Sequence, residues 1–170
     1  MTEHREGHPS GKERLQAAQT LGEILATATS FEETARDFYR DLAPRVSKRI
    51  RWLVDELAEE EQRHYDLFGE LATRDDVLEQ VEERVATPAA NRRFSDCVQS
   101  ADLGDNPDDQ AVLQYALYRE QAAMDQYTEL AQSTSPGPVQ ELFQFLANEE
   151  TQHKAELEKL YYEVVHSGGV

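Results

Sequence analysis

The sequence contains a single cysteine, Cys97, among its 170 residues. One cysteine permits no internal disulfide, and without a Cys-x-x-Cys pair the chain has no metal site built from cysteine thiolates. No charged activating motif surrounds Cys97, so we interpret it as a small packed residue rather than a redox thiol. Electrons used in any redox chemistry would come from an external donor.

Basic residues and long apolar runs are also scarce. The chain has 17 Lys and Arg against 34 Asp and Glu, a net charge of -17. This balance argues against nucleic acid or an anionic membrane as a partner. No run approaches the roughly 18 apolar residues of a membrane span, and no apolar stretch typical of a signal peptide follows Met1. We therefore expect a soluble, cytoplasmic protein.

What the chain does contain is an internal repeat. Residues 57–64, ending in Glu61 and His64, are matched 89 positions later by residues 146–153, ending in Glu150 and His153. Each Glu-x-x-His copy interrupts a stripe of apolar residues spaced by three and four, the pattern of one helix face. A carboxylate on such a face is costly to bury unless it is paired or coordinates a metal.

A second pair of stripes also repeats, at an offset of 88 residues. Each contains a glutamate, Glu32 or Glu120, and seven residues later a tyrosine, Tyr39 or Tyr127. The six matched positions are identical in the two copies: Leu25, Ala28, Glu32, Ala35, Tyr39 and Leu42, then Leu113, Ala116, Glu120, Ala123, Tyr127 and Leu130. The tyrosines are candidate catalytic residues that could hydrogen-bond ligands or pass electrons, or they pack with a satisfied hydroxyl.

These patterns predict one helical domain between two tails. We predict a mobile tail over 1–12, a domain over 13–165 and a C-terminal tail over 166–170. The domain consists of two halves, about 15–73 and 108–165, joined by a crossover over 74–107. Each half is an antiparallel helical hairpin, with predicted helices at about 15–43 and 48–73, then about 108–133 and 138–165. In the crossover, Asp76 with Glu79 resembles a capping box, and Leu78, Val81 and Val85 predict a short amphipathic helix.

Packing of the two hairpins would bring four glutamates and two histidines into one layer. In each hairpin the glutamate and the Glu-x-x-His pair are equidistant from the turn, so they lie level. The predicted metal ligands are Glu32, Glu61, His64, Glu120, Glu150 and His153. Four carboxylates carry -4, which two divalent cations would balance. Carboxylates with one imidazole per metal suit iron or manganese, although zinc can occupy such a site. Without metal, crowding and burial should raise the pKa values of the four carboxyl groups.

At these residues the chain resembles the ferritin-like di-iron carboxylate proteins, and among them the rubrerythrin-like group. Such bundles take one Glu from each of two helices and Glu-x-x-His from each of the others. The resemblance covers about residues 20–165 and implies an all-α ferritin-like four-helix bundle with two iron ions. By that resemblance Glu61 and Glu150 bridge the metals, Glu32 with His64 completes one, and Glu120 with His153 the other.

The chain differs from rubrerythrins proper in two ways. It lacks their rubredoxin-like domain, and it has Leu117 where they have an extra glutamate. The ligand set is more similar to a bacterioferritin ferroxidase centre. The resemblance therefore implies an oxidoreductase that oxidises Fe(II) or reduces O2 or H2O2, in a homo-oligomer that we expect to be a dimer. The alternatives are peroxide reduction with an external electron donor, in oxidative-stress defence, and iron storage or sequestration.

Overall fold

The computed structural model describes residues 19–85 and 103–166. Four long helices dominate this part of the chain, with two short strands and a one-turn helix beside them. In chain order the elements are β1 (Gln19–Thr20), α1 (Leu21–Leu42), α2 (Lys48–Leu71), α3 (Asp75–Leu78), β2 (Arg84–Val85), α4 (Asp109–Ser133) and α5 (Pro138–His166). The fold is all-α, as the sequence predicted.

Both hairpin turns lie where the sequence places turn residues. A 3-10 turn over Ala43–Arg45 and an extended Val46 separate α1 from α2. Four residues, 134–137, separate α4 from α5, and Gly137 there has a φ of 152°, which residues with a Cβ rarely adopt. The short connections make α1 pack along α2, and α4 along α5.

The first helix begins later than predicted, because the crossover pairs with the chain just before it. Gln19 and Thr20 form an antiparallel ladder with Val85 and Arg84. The Thr20 side chain accepts a hydrogen bond from the Glu23 amide at 3.2 Å, which caps α1. Gly22 donates its amide to the carbonyl of Val81 at 2.9 Å. These bonds occupy amides that a helix N-terminus leaves without partners.

The crossover helix is shorter than predicted. Only Asp75–Leu78 is helical, its N-cap residue is Arg74, and Asp76 accepts two hydrogen bonds from the Arg74 guanidinium at 2.8 and 3.0 Å. Val85 lies in a strand and is buried, whereas Leu78 is exposed. The prediction of one amphipathic helix through Leu78, Val81 and Val85 was therefore wrong, because ladder pairing with β1 buries this segment.

Two apolar clusters fill the bundle above and below its middle. One cluster includes Phe31, Phe68, Val139 and Phe143 with the buried side of the crossover, and the other includes Leu42, Ile50, Leu113 and Leu157 near the opposite end. A polar layer with the predicted ligands separates them. Apolar packing on both sides fixes the helices and excludes water from the layer between.

Three expectations about the periphery have different outcomes. Trp52, the one tryptophan, would most simply be a core or dimer-interface residue, but it is 56% exposed, so it is not a core residue of this chain. Among the described residues, no helix has the length and apolar character needed to cross a membrane. The predicted tail over 1–12, Cys97 and most of the C-terminal tail lie outside the described residues, and the predicted domain boundaries stay predictions.

Candidate metal centre

The six predicted ligand residues lie together in the middle of the bundle, one or two from each long helix. Every one of them is buried, with an exposed fraction between 0% for Glu32 and 8% for His153. α1 contributes Glu32 and α4 contributes Glu120, while α2 and α5 each contribute a Glu-x-x-His pair. The repeat in the sequence therefore becomes a layer in which equivalent side chains face one another.

The first group surrounds His64. Its Nδ1 lies 3.2 Å from Glu150 Oε1, 3.5 Å from Glu32 Oε2 and 3.5 Å from Glu61 Oε2. The ligand atoms of Glu32, Glu61, His64 and Glu150 all lie within 4.8 Å of one another, so they could hold one metal ion. Opposed ligands of one ion at about 2.1 Å each are roughly 4.2 Å apart, which agrees with this spacing.

The second group surrounds His153 and shares a residue with the first. His153 Nδ1 lies 3.7 Å from both Glu120 Oε2 and Glu150 Oε2. Glu150 thus turns Oε1 toward one imidazole and Oε2 toward the other, and the two rings are stacked 6.2 Å apart. Glu120, Glu150 and His153 could hold a second ion. Glu61 belongs only to the first group in this geometry.

The two candidate catalytic tyrosines are fully buried beside the layer, and they differ from each other. The Tyr127 hydroxyl donates a hydrogen bond to Glu32 Oε1 across the two hairpins. The Tyr39 hydroxyl has no hydrogen-bond partner among the described residues. Burial, with the charge of Glu120 for Tyr39 and of Glu32 for Tyr127, raises the pKa of each phenol well above its usual value. Both therefore stay neutral at ordinary pH.

A further carboxylate contacts the centre from outside the predicted set. Glu60 lies four residues before His64 on the same helix, a spacing compatible with a hydrogen bond to that imidazole, with a partner on a neighbouring helix or with plain surface exposure. The Glu60 side chain reaches across to His153 on α5 and contacts its Nε2, the ring nitrogen that faces away from Glu120 and Glu150. Glu149, the equivalent residue in the repeat, lies 3.9 Å from the same nitrogen. A carboxylate on this nitrogen orients the ring so that Nδ1 faces the centre.

Sequence reasoning missed one charged residue near the centre, Arg119. It precedes Glu120 and is only 2% exposed. Its guanidinium lies 5.0 Å from the centre of the Phe31 ring and donates a hydrogen bond to the Tyr115 hydroxyl at 3.1 Å. The ligand stripes themselves contain no Lys or Arg, so they gave no indication of a cation near the layer. A usable signal was present, because Arg119 is the only Lys or Arg between Arg93 and Lys154.

The electrostatics of the layer follow from burial and crowding. Burial, together with the charge of Glu32 on Glu61 and of Glu150 on Glu120, raises the pKa of both carboxyl groups well above its usual value. Burial alone would lower the pKa of the two imidazoles, but the surrounding carboxylates raise it instead.

Glu150 differs from the expectation for crowded carboxylates. Burial opposes its ionisation, but contacts with Glu120, His153 and His64 outweigh this cost and lower its pKa. The expected rise in pKa was therefore wrong for Glu150. The physical reason is its central position, where neighbouring protonated groups stabilise its charge.

The layer also leaves buried polar atoms without partners. Within the described part of the chain, all six ligand residues have a buried oxygen or nitrogen that makes no hydrogen bond: Glu32 Oε2, Glu61 Oε2, His64 Nδ1, both oxygens of Glu120 and of Glu150, and His153 Nδ1. Buried polar atoms without partners are rare and costly in proteins. Oxygen and imidazole donors in two adjoining groups fit two divalent cations of the iron or manganese type.

Comparison with known protein families gives a match. The family model described as rubrerythrin matches residues 23–161, which covers all four long helices apart from their outer ends. Neither the curated proteins nor the solved structures gave a significant match.

Proposed function

Because the chain belongs to the rubrerythrin family, we propose that its buried Glu and His layer binds two iron ions and uses them to oxidise Fe(II) or to reduce O2 or H2O2. The observation that carries this proposal is the convergence of unpartnered donor atoms from all six residues on two groups that share Glu150. Four carboxylates balance two divalent cations, and this leaves the imidazoles neutral as ligands.

In this proposal the two groups hold one ion each. Glu32, Glu61 and His64 would hold the first ion, and Glu120 and His153 would hold the second. Glu150, whose two oxygens face the two imidazoles, would contribute to both. Two Fe(II) ions supply two electrons, which with two protons convert H2O2 to two waters, or O2 to H2O2. Manganese or zinc would occupy the same donors, but zinc is redox-inert and would support no such reaction.

The protein's own side chains prepare the centre for this chemistry. Without metal, burial and neighbouring charge raise the pKa values of Glu61 and Glu120 and so favour their protonated forms, and bound cations would displace the protons. The Tyr127 hydroxyl fixes one oxygen of Glu32, so the other oxygen faces His64. Glu60 orients His153 from behind. The apolar clusters above and below exclude water, which strengthens each of these interactions.

Metal binding is tested first, by metal analysis of the purified chain after anaerobic loading with Fe(II). We expect two ions per chain. Replacement of Glu150 with Ala should lose both ions, because its oxygens belong to both groups, whereas Glu32→Ala should mainly weaken one. Glu33→Ala, an exposed neighbour of Glu32, serves as the control. Two ions retained in Glu150→Ala would refute the shared-ligand assignment.

Reactivity separates the alternatives. The loaded chain, mixed with O2 or with H2O2, should develop the ultraviolet absorption of ferric iron. Faster reaction with H2O2 favours peroxide reduction with a separate electron donor. Faster reaction with O2 favours Fe(II) oxidation, and a very large native mass would favour storage over an enzyme that acts as a dimer. A fully loaded sample that reacts with neither oxidant would contradict the proposed reaction.

A further inference from the structure

The two imidazoles of the centre occupy equivalent positions in the repeat, but their surroundings differ. His153 has its outer nitrogen covered by Glu60, with Glu149 nearby. His64 lines a cleft of about 320 Å³ between α2 and α5. The cleft is lined by Arg63, His64, Asp66, Leu67, Glu70, Phe145 and Glu149. The outer nitrogen of His153 is therefore covered by a carboxylate, whereas His64, itself only 3% exposed, lies at the floor of a cleft.

The repeat shows which residue makes this difference. Glu60 and Glu149 are 89 residues apart and precede their histidines by four residues each. Exact symmetry would place Glu149 behind His64, as Glu60 is placed behind His153. Instead Glu149 lines the cleft with 33% of its side chain exposed, against 15% for Glu60. The cleft lies beside His64, on the side where Glu149 does not cover the imidazole ring.

Size and charge indicate what the cleft admits. A cation with six waters needs roughly 180 Å³, at about 30 Å³ for each water. The cleft is larger than this, at about 320 Å³. Three of its lining residues are acidic, and its one basic residue, Arg63, lies 3.3 Å from Glu60 in an ion pair. A cleft lined by carboxylates concentrates divalent cations and accelerates their association.

We propose that this cleft is the entry route for divalent cations, and that the group with Glu32, Glu61, His64 and Glu150 receives the first ion. The inference rests on the proposed function, because it requires that the layer binds metal. The ligand class is a hydrated divalent cation, Fe(II) in the proposed reaction. His153, covered by Glu60, belongs to the group that fills second.

A second cleft provides the matched comparison. It has about 520 Å³ between α4 and α5 and is lined by Thr128, Ala131, Gln132, Gln140, Gln144, Ala147 and Asn148. None of these residues is charged, and none belongs to the predicted ligand set. Although this second cleft is larger, no carboxylate or ligand histidine lines it, so we expect it to have no role in cation entry.

The experiment measures the rate at which Co(II), a spectroscopic substitute for Fe(II), binds to the whole metal-free chain in a stopped-flow instrument. Leu67→Trp places bulk in the acidic cleft, and Gln144→Trp places the same bulk in the uncharged one. We expect slower binding only in Leu67→Trp, with two ions bound by both variants at equilibrium. Equal rates in both variants, or slowing only in Gln144→Trp, would overturn the entry route.

A charge variant keeps the test valid if Leu67→Trp fails to fold. Asp66→Asn with Glu70→Gln removes two acids of the cleft, and Asp37→Asn with Glu33→Gln removes two exposed acids of α1 with the same spacing. The first pair should slow association about tenfold at low salt and much less at high salt. Equal effects of the two pairs would overturn the proposal. A wild-type chain that binds no Co(II) would instead contradict the proposed function.

Discussion

Replacement of Tyr127 with phenylalanine should destabilise the metal-free chain, whereas the same change at Tyr39 should not. The two tyrosines are equivalent in the repeat and both are fully buried. Only the Tyr127 hydroxyl has a hydrogen-bond partner in the layer, Glu32 Oε1. Removal of that hydroxyl leaves a buried carboxylate oxygen without a donor, which costs about 1–3 kcal/mol.

No loss of stability is expected for Tyr39→Phe. Its hydroxyl makes no hydrogen bond to any described residue, so its removal abolishes a buried polar group that is already unsatisfied. Such a change is about neutral or slightly stabilising, and the ring keeps its packing against Phe38 at 5.5 Å. The two variants differ from wild type by one oxygen atom each, so each is the control for the other.

Urea unfolding of the metal-free variants measures the difference. If the urea dependence of the unfolding free energy is unchanged, a shift in the midpoint reports stability alone. For a chain of this size about 1 kcal/mol corresponds to roughly 2–4 °C in the melting temperature. Equal losses in the two variants, or a larger loss in Tyr39→Phe, would refute the inference that the hydroxyl of Tyr127 alone stabilises the layer.

Two further predictions concern the crossover and the pH dependence. A Cβ on Gly22 would meet the Val81 carbonyl oxygen at 3.2 Å, whereas one on Gly69 would meet nothing within 4 Å. Gly69→Ala should therefore raise the unfolding free energy by about 0.5–1 kcal/mol, and Gly22→Ala should lower it or gain less; a larger gain at Gly22 in thermal unfolding would contradict the packing described. In the metal-free chain the folded-state pKa values of Glu61, Glu120 and both imidazoles are raised, so their contribution to stability is present below the unfolded pKa values and is lost as the pH rises. Glu150, whose pKa is lowered, contributes a constant amount above its unfolded value. The urea midpoint of the metal-free chain should thus decrease as the pH is raised from 5 to 8. Bound metal should oppose this decrease, because it binds deprotonated ligands. Identical pH profiles with and without metal would contradict a metal-binding layer.

The sequence by itself determined the helices and the composition of the layer. Helix periodicity, with turn residues between the stripes, placed Glu32 opposite Glu61 and His64, and the repeat gave the equivalent set around Glu120. This worked because hairpin geometry is local, so residues equidistant from a short turn must lie level. The burial of each glutamate could also be predicted locally, because its apolar neighbours lie on the same face of the same helix.

Contacts between the hairpins were decided only by the tertiary structure. Glu60 contacts His153 rather than the histidine on its own helix, and Arg119 is buried among aromatic rings. Helix rotation and side-chain rotamers decide such contacts, and periodicity alone determines neither. The same is true of β2, where pairing with Gln19 and Thr20 replaced the helix that local pattern predicted.

The asymmetry of the centre also exists only in three dimensions. The repeat makes Tyr39 equivalent to Tyr127 and Glu149 equivalent to Glu60. Yet only Tyr127 hydrogen-bonds a ligand glutamate, and only Glu60 closely contacts a ligand histidine. Crowded carboxylates cannot all keep their charge at low cost, so protons and hydrogen bonds are shared unequally: the pKa of Glu150 is lowered, whereas the pKa values of Glu61 and Glu120 are raised. A sequence repeat specifies equivalent positions, and the packing of unequal neighbours around them decides which contacts each position makes.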